Sequence, residues 1–236
     1  MPVVTVTGRL NSGAREIAQA VAAELKLDYL DREILAEAAS QLGVSESDVA
    51  QRDEAARSFG DRVASVLRTL MERSAIVGAA DPISGGELDV LLARTYGEAA
   101  HLPSDAPAGQ LDDEHYLSTL KSVIEEVAAR DNVVILGRGA QVILQHDPGA
   151  VHVYVTLARE ARIASLVERE GMPAQDAERR IKQSDHNRQE FHRHYFKVEM
   201  ENPCLYDLML HAGRIAPELA VQLIAQAVRA RAPRPG

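Results

Sequence analysis

Along this chain the spacing of apolar residues keeps switching between two periods, and each switch marks the edge of an element. Val3-Val-Thr-Val-Thr7 is a short β-branched run that stops at Gly8. Such side chains suit a pleated surface, so the run predicts a strand. A small polar loop leads to Gly13, after which Ile17, Ala20, Val21 and Leu25 recur at helical spacing. Leu27-Asp-Tyr-Leu30 predicts a second short strand ending at Asp31, and Ile34, Leu35, Ala38, Ala39 and Leu42 predict a helix over 32–42 closed by Gly43. Ser45 with Asp48 three places on is a helix-start signal. Val63, Val66, Leu67 and Leu70 predict an amphipathic helix, the stretch from Asp81-Pro82 to Gly86 a turn, and 88–92 a further element. Residues 99–113 read as a surface loop, because Pro, Gly and Ala dominate them.

The second half is clearer. Leu117, Leu120, Val123, Ile124 and Val127 mark a helix that starts near Asp112 or Asp113. Val133-Val-Ile-Leu136 is all apolar, as expected of a strand buried on both faces of a parallel sheet. Gly137-Arg138-Gly139 follows it directly. Val151 to Val155 predicts another strand, 158–171 and 173–194 two charged helices, and Leu205 to Leu210 a last strand. Pro217 suits the first turn of a final helix carrying Ala220, Leu223, Ile224, Ala227 and Val228 on one face, with a frayed tail over 229–236. No internal repeat is visible. Strands alternating with helices imply an α/β fold, a parallel sheet with helices on both faces. Ligands bind such sheets at the strand C-termini. Gly8–Arg15, Asp31, Gly137–Gly139 and the start of the 158–194 segment would then share one rim.

Strand, Gly-bounded loop, helix is the architecture of a phosphate-binding P-loop, in which backbone amides and the helix N-terminus face a polyphosphate. Gly8, Asn11, Ser12, Gly13, Ala14, Arg15 and Glu16 are the candidate phosphate contacts. Two positions depart from the full signature: Ala14 stands where the phosphate-gripping Lys belongs, and Arg15 where the Mg²⁺-binding Ser or Thr belongs. A guanidinium grips phosphate bidentately, so Arg15 is the candidate substitute, leaving Mg²⁺ to Ser12, Glu16 or water. Arg138 is suited to meet an acceptor phosphate. Arg159, Arg162, Arg169, Arg179, Arg180, Lys182, Arg188 and Arg193 concentrate cations in 158–194, as phosphoryl transfer requires. Plainer readings stand beside these. A Gly-bounded turn can be only a tight turn, Arg138 a structural ion-pair partner, and Asp31 an N-cap. Interleaved charges on a helix are commonly a solvated, ion-paired face. His186, His192 and His194 lack a carboxylate or thiolate at ligand spacing, so no protein metal site is expected.

With 236 residues, 46% apolar and 26% charged, the chain suits one large globular domain with an excursion. Aromatics at 4% and a net charge of −9 argue against nucleic-acid partners and against anionic membranes. One cysteine, Cys204, cannot form an intrachain disulfide and reads as packing; no long apolar run suggests a membrane span. A soluble cytoplasmic enzyme or regulator fits, with homo-oligomerisation left open.

The motifs Asn11-Ser-Gly-Ala-Arg-Glu-Ile17, Tyr29-Leu-Asp-Arg-Glu-Ile34, Val134-Ile-Leu-Gly-Arg-Gly-Ala140, Asp185-His-Asn-Arg188 and Asn202-Pro-Cys-Leu-Tyr-Asp-Leu208 fall in this order along the chain. Together they resemble the cytidylate kinase-like family, a branch of the P-loop nucleoside monophosphate kinases. The resemblance implies a three-layer α/β/α P-loop domain with a five-stranded parallel sheet. Its core would be 1–44, 114–157 and 198–230, with an acceptor-binding helical insertion over 45–113 and an arginine-rich lid over 158–197. It further implies ATP with Mg²⁺ as phosphate donor and CMP or dCMP as acceptor. Arg15, Arg162 and Arg188 would neutralise the transferring phosphates, while Asp31, Arg32, Arg138 and Asp185 would hold the acceptor. A P-loop kinase of another small metabolite and a catalytically weak nucleotide-binding regulator are the alternatives, the latter suggested by Ala14.

Overall fold

The computed structural model describes residues 2–31, 113–130 and 132–231. Arg32, the helices expected over 32–42 and from Ser45, and nearly all of the 45–113 insertion lie outside them. The chain forms two compact units, Met1–Tyr29 with Asp131–Gly236, and Leu30–Arg130.

In the first unit the β-branched run forms β1 (Val3–Gly8), every residue of which is buried. Helix α1 (Ala14–Leu25) follows, then β2 (Asp28–Leu30). The apolar run after the second unit is β3 (Val133–Leu136), a single turn α3 (Ala140–Ile143) comes next, and β4 (Ala150–Thr156) after it. Two charged helices, α4 (Arg159–Glu170) and α5 (Ala174–Phe191), precede β5 (Leu208–His211) and α6 (Pro217–Ala230). The strands form one five-stranded parallel sheet in the order β2-β3-β1-β4-β5. Val6 lies opposite Leu136 and Gly8 opposite Val155, so the turns after β1, β3 and β4 leave the same edge side by side. α1 and α6 cover one face, with Ile17, Val21, Ile224 and Val228 buried against Val4, Val6 and Val153. In the second unit, the helix expected before β3 is α2 (Asp113–Ala129), with Leu120, Val123, Ile124, Val127 and Ala128 buried at helical spacing.

Three expectations are corrected. The helix expected to reach His194 leaves the α conformation at Phe191 and passes into a turn of π-helix over His192–Phe196, closed by Lys197 at φ 57°. The last strand begins at Leu208 rather than Leu205, because Asn202 accepts the Cys204 amide and Pro203 opens a 3₁₀ turn over Pro203–Leu205. Cys204 is exposed on that turn rather than packed. Among the described residues no helix is long and apolar enough to cross a membrane.

Candidate phosphate-binding site

The loop after β1 is built tightly. Asn11 takes φ 58° and Gly13 φ 84°, and the Ser12 amide donates to the Arg9 carbonyl at 3.2 Å. Gly8 has no room for a side chain: a Cβ there would lie 2.6 Å from Ser12 Oγ, 2.7 Å from Ala14 Cβ and 2.8 Å from the Val155 carbonyl. Gly13 precedes α1 with no side chain capping the first turn. Unpaired amides of that turn, with the positive end of the helix dipole, form an anion cradle. Inside it Ser12 Oγ is fully buried, at 1% exposure for the residue, and has no hydrogen-bond partner. A buried hydroxyl left unpaired costs about 1–3 kcal/mol, which a phosphate oxygen would recover.

The charged helices lie on this loop. Leu10 packs against the apolar cluster Leu166, Ala177 and Ile181 between α4 and α5. Arg162, 3% exposed, holds Asp185 bidentately, Nη1 to Oδ1 at 2.9 Å and Nη2 to Oδ2 at 2.8 Å. Its Nη1 also reaches the Leu10 carbonyl at 3.3 Å, and Asn11 Nδ2 donates to the Arg162 carbonyl at 2.8 Å. Arg188 Nη1 donates to the Gly8 carbonyl at 2.8 Å. Arg162 and Arg188, which the family resemblance places in the lid, are thus both hydrogen-bonded to the loop backbone. Asp185 is held by arginines, with Arg9 Nη1 donating to its Oδ2 at 2.8 Å. Arg15 and Glu16 are exposed in the first turn of α1, and Glu16 accepts from Arg169 Nη1 at 2.8 Å. Arg159, Arg179, Arg180 and Arg193 form exposed ion pairs with Glu178, Asp176, Glu170 and Glu199, so for them the plainer reading of a solvated face holds.

After β3, Gly137, Arg138 and Gly139 take φ 76°, 61° and 69° in succession. The Gly137 amide donates to the Val6 carbonyl at 2.9 Å, which ties the turn to the neighbouring strand. Arg138 is 1% exposed, and the Phe196 ring fills the space a Gly139 side chain would need. Asp31, in the other unit, is buried just after β2.

Sequence reasoning missed Arg9 and Glu201, whose partners stand far away in the chain. It also missed a buried chain from the sheet to the lid. Thr7 Oγ1 donates to Gln141 Oε1 at 2.9 Å, Gln141 Nε2 lies 2.9 Å from His192 Nε2, and His192 Nδ1 lies 2.8 Å from the Arg188 carbonyl. With its amide donating, Gln141 fixes a neutral His192 that carries its proton on Nδ1. Burial pushes the His192 and His152 imidazoles below their ordinary pKa of 6.5. The unfolded chain therefore binds more protons as pH falls past that value, and stability, full above it, is lost on acidification. Thermal melts are expected to show Tm falling from about pH 7.5 to about pH 5.5. A level Tm over that range would count against neutral buried rings.

No curated protein matches the chain. Among solved structures it shares its fold with an uncharacterised protein from Eubacterium ventriosum, at 14% identity, TM-score 0.61, over 98% of this chain and 100% of the other. More distant likenesses are a shikimate kinase from Bacteroides thetaiotaomicron (15% identity, TM-score 0.45, 97% and 98% covered) and a gluconokinase from Sinorhizobium meliloti (13%, 0.43, 97% and 95%). The model of the cytidylate kinase-like family matches residues 3–214, and the chain belongs to that family.

Proposed function

We propose that this protein transfers the γ-phosphoryl group of ATP to a nucleoside monophosphate, CMP or dCMP, in the cytoplasm. The observation that carries this reading is the unpaired, buried Ser12 Oγ inside a Gly-bounded cradle on which the guanidinium groups of Arg162 and Arg188 converge. Family membership supports it, and the CMP assignment rests on the family resemblance.

The donor phosphates would lie against the amides of Asn11–Arg15, with Ser12 Oγ supplying a further hydrogen bond. An acceptor phosphate oxygen attacks the γ-phosphorus, the bond to the β,γ-bridging oxygen breaks, and ADP leaves with that electron pair. No general base is required, since positioning and charge neutralisation dominate this chemistry. Arg162, Arg188 and Arg15 would neutralise the transferring group, and Arg138 would receive the acceptor phosphate. The loop's own donors suit phosphate better than a resident metal. Glu16 is paired with Arg169, and no cluster of three or more metal-ligating side chains occurs among the described residues. Mg²⁺ would enter as part of the MgATP substrate.

A coupled ADP-release assay against a panel of monophosphates tests the proposal. Release that depends on CMP or dCMP is the expected result. Release dependent on another small metabolite would reassign the acceptor. No release with any acceptor, while ATP still binds, would favour the regulator reading that Ala14 suggests.

A further inference from the structure

We infer that Arg9, a residue of the loop itself, is the cation that grips the polyphosphate in place of the lysine missing at position 14, and that Asp185 and Glu201 hold it until phosphate displaces them. The inference rests on the proposed phosphate-binding role of the loop and names the residue that completes it.

Ala14 cannot serve, because its methyl group is buried at the start of α1. Arg9 follows Gly8 directly, and its side chain is 24% exposed. Its Nη1 donates to Asp185 Oδ2 at 2.8 Å and its Nε to Glu201 Oε1 at 2.7 Å. The guanidinium thus has two edges turned to two carboxylates, the arrangement that also binds a phosphate through paired N–H groups.

Both carboxylates keep partners if Arg9 leaves. Asp185 retains its two hydrogen bonds from Arg162, and Glu201 retains the Tyr154 hydroxyl at 2.9 Å. Burial and the neighbouring Glu201 push the Tyr154 pKa up, so that hydroxyl remains a donor at neutral pH. The exchange therefore strands no buried charge, which would otherwise oppose it strongly. Two buried groups beside the loop, Ser12 Oγ and Arg162 Nε, have no partner in the present arrangement, and contact with an anion would satisfy them. Arg9 moving toward phosphate would add a third contact to theirs.

The test is calorimetric binding of ATP and of inorganic tripolyphosphate to the full chain and to its Arg9→Ala and Glu201→Gln variants, each with a thermal melt to confirm folding. Arg193→Ala, which removes an exposed pair with Glu199, serves as the charge control. Loss of a charge-assisted contact is expected to weaken both ligands about 10- to 100-fold in Arg9→Ala. Glu201→Gln, which removes a competitor for Arg9, is expected to bind at or above wild-type affinity. Arg9→Ala with unchanged affinity overturns the inference, as does an equal loss in Arg193→Ala. Should Arg9→Ala fail to fold, Glu201→Gln decides alone: weakened binding there means the pair merely shapes the loop and overturns the inference. Arg9-dependent binding of tripolyphosphate without binding of ATP would sink the kinase reading and leave the role of Arg9 standing. Binding of neither ligand by the wild type overturns both.

Discussion

Arg188→Ala is expected to lower the turnover of monophosphate-dependent ADP release by about 10³- to 10⁵-fold, the range for an arginine that stabilises a transferring phosphoryl group. Its Nη1 lies on the Gly8 carbonyl, at the edge of the loop, so under the proposed function its charge would stand beside the transferring phosphate. The side chain is braced by its own helix, Nε donating to Ser184 Oγ at 3.3 Å, and the helix is braced beneath it by His192, whose ring donates to the Arg188 carbonyl. ATP affinity should change much less than turnover, because the Nη1 contact in the structure is with the Gly8 carbonyl, whereas a cation counts most where negative charge develops in the transition state. Arg188→Lys should recover part of the loss, since the charge stays and the planar fork goes. Steady-state kinetics with calorimetry separates the two effects. Turnover within tenfold of wild type would make Arg188 a prop for the loop backbone and nothing more.

The central fold was legible because its signals are local. Val3 to Gly8 and Val133 to Leu136 are apolar runs closed by glycine, and the period changes to helical soon after Gly13. The parallel sheet, the Gly-bounded loop and the rim that joins it to Gly137–Gly139 follow from those changes. The end of α5 was not legible, because Phe191, Tyr195 and Phe196 keep nearly helical spacing into the π turn. There the His192 side chain is claimed by Gln141 across the fold. Leu205 carries the apolar run of Leu208 and Leu210 back beyond the start of the strand, and the Asn202 cap overrides the pattern there. The site was half legible. Residue types named the candidate phosphate loop and the lid cations Arg162 and Arg188, the family resemblance named Asp185, and neither records how they pair. Arg9 meets Asp185 and Glu201 from 176 and 192 positions away, and no periodicity records such a meeting.

That pairing changes what Asp185 is expected to do. The family resemblance assigns it to the acceptor, which would make Asp185→Ala a variant with a raised KM and an unaltered fold. The structure instead gives Oδ1 to Arg162 Nη1, and Oδ2 to both Arg162 Nη2 and Arg9 Nη1. Arg162 is 3% exposed and Asp185 13%, so the pair is largely withdrawn from water. Breaking a buried pair by removing one partner costs about 3–5 kcal/mol, because the other charge is left uncompensated. For a chain of this size that corresponds to a Tm lower by on the order of 10 °C. Asp185→Asn should lose somewhat less, since its amide oxygen still accepts one hydrogen bond. The double variant Asp185→Ala/Arg162→Met should regain much of the loss, since removing both charges relieves the stranded one. Thermal melts of the three proteins decide the matter. A wild-type Tm for Asp185→Ala, together with a raised acceptor KM, would show that the carboxylate serves the substrate and that its grip on Arg162 contributes little to the fold.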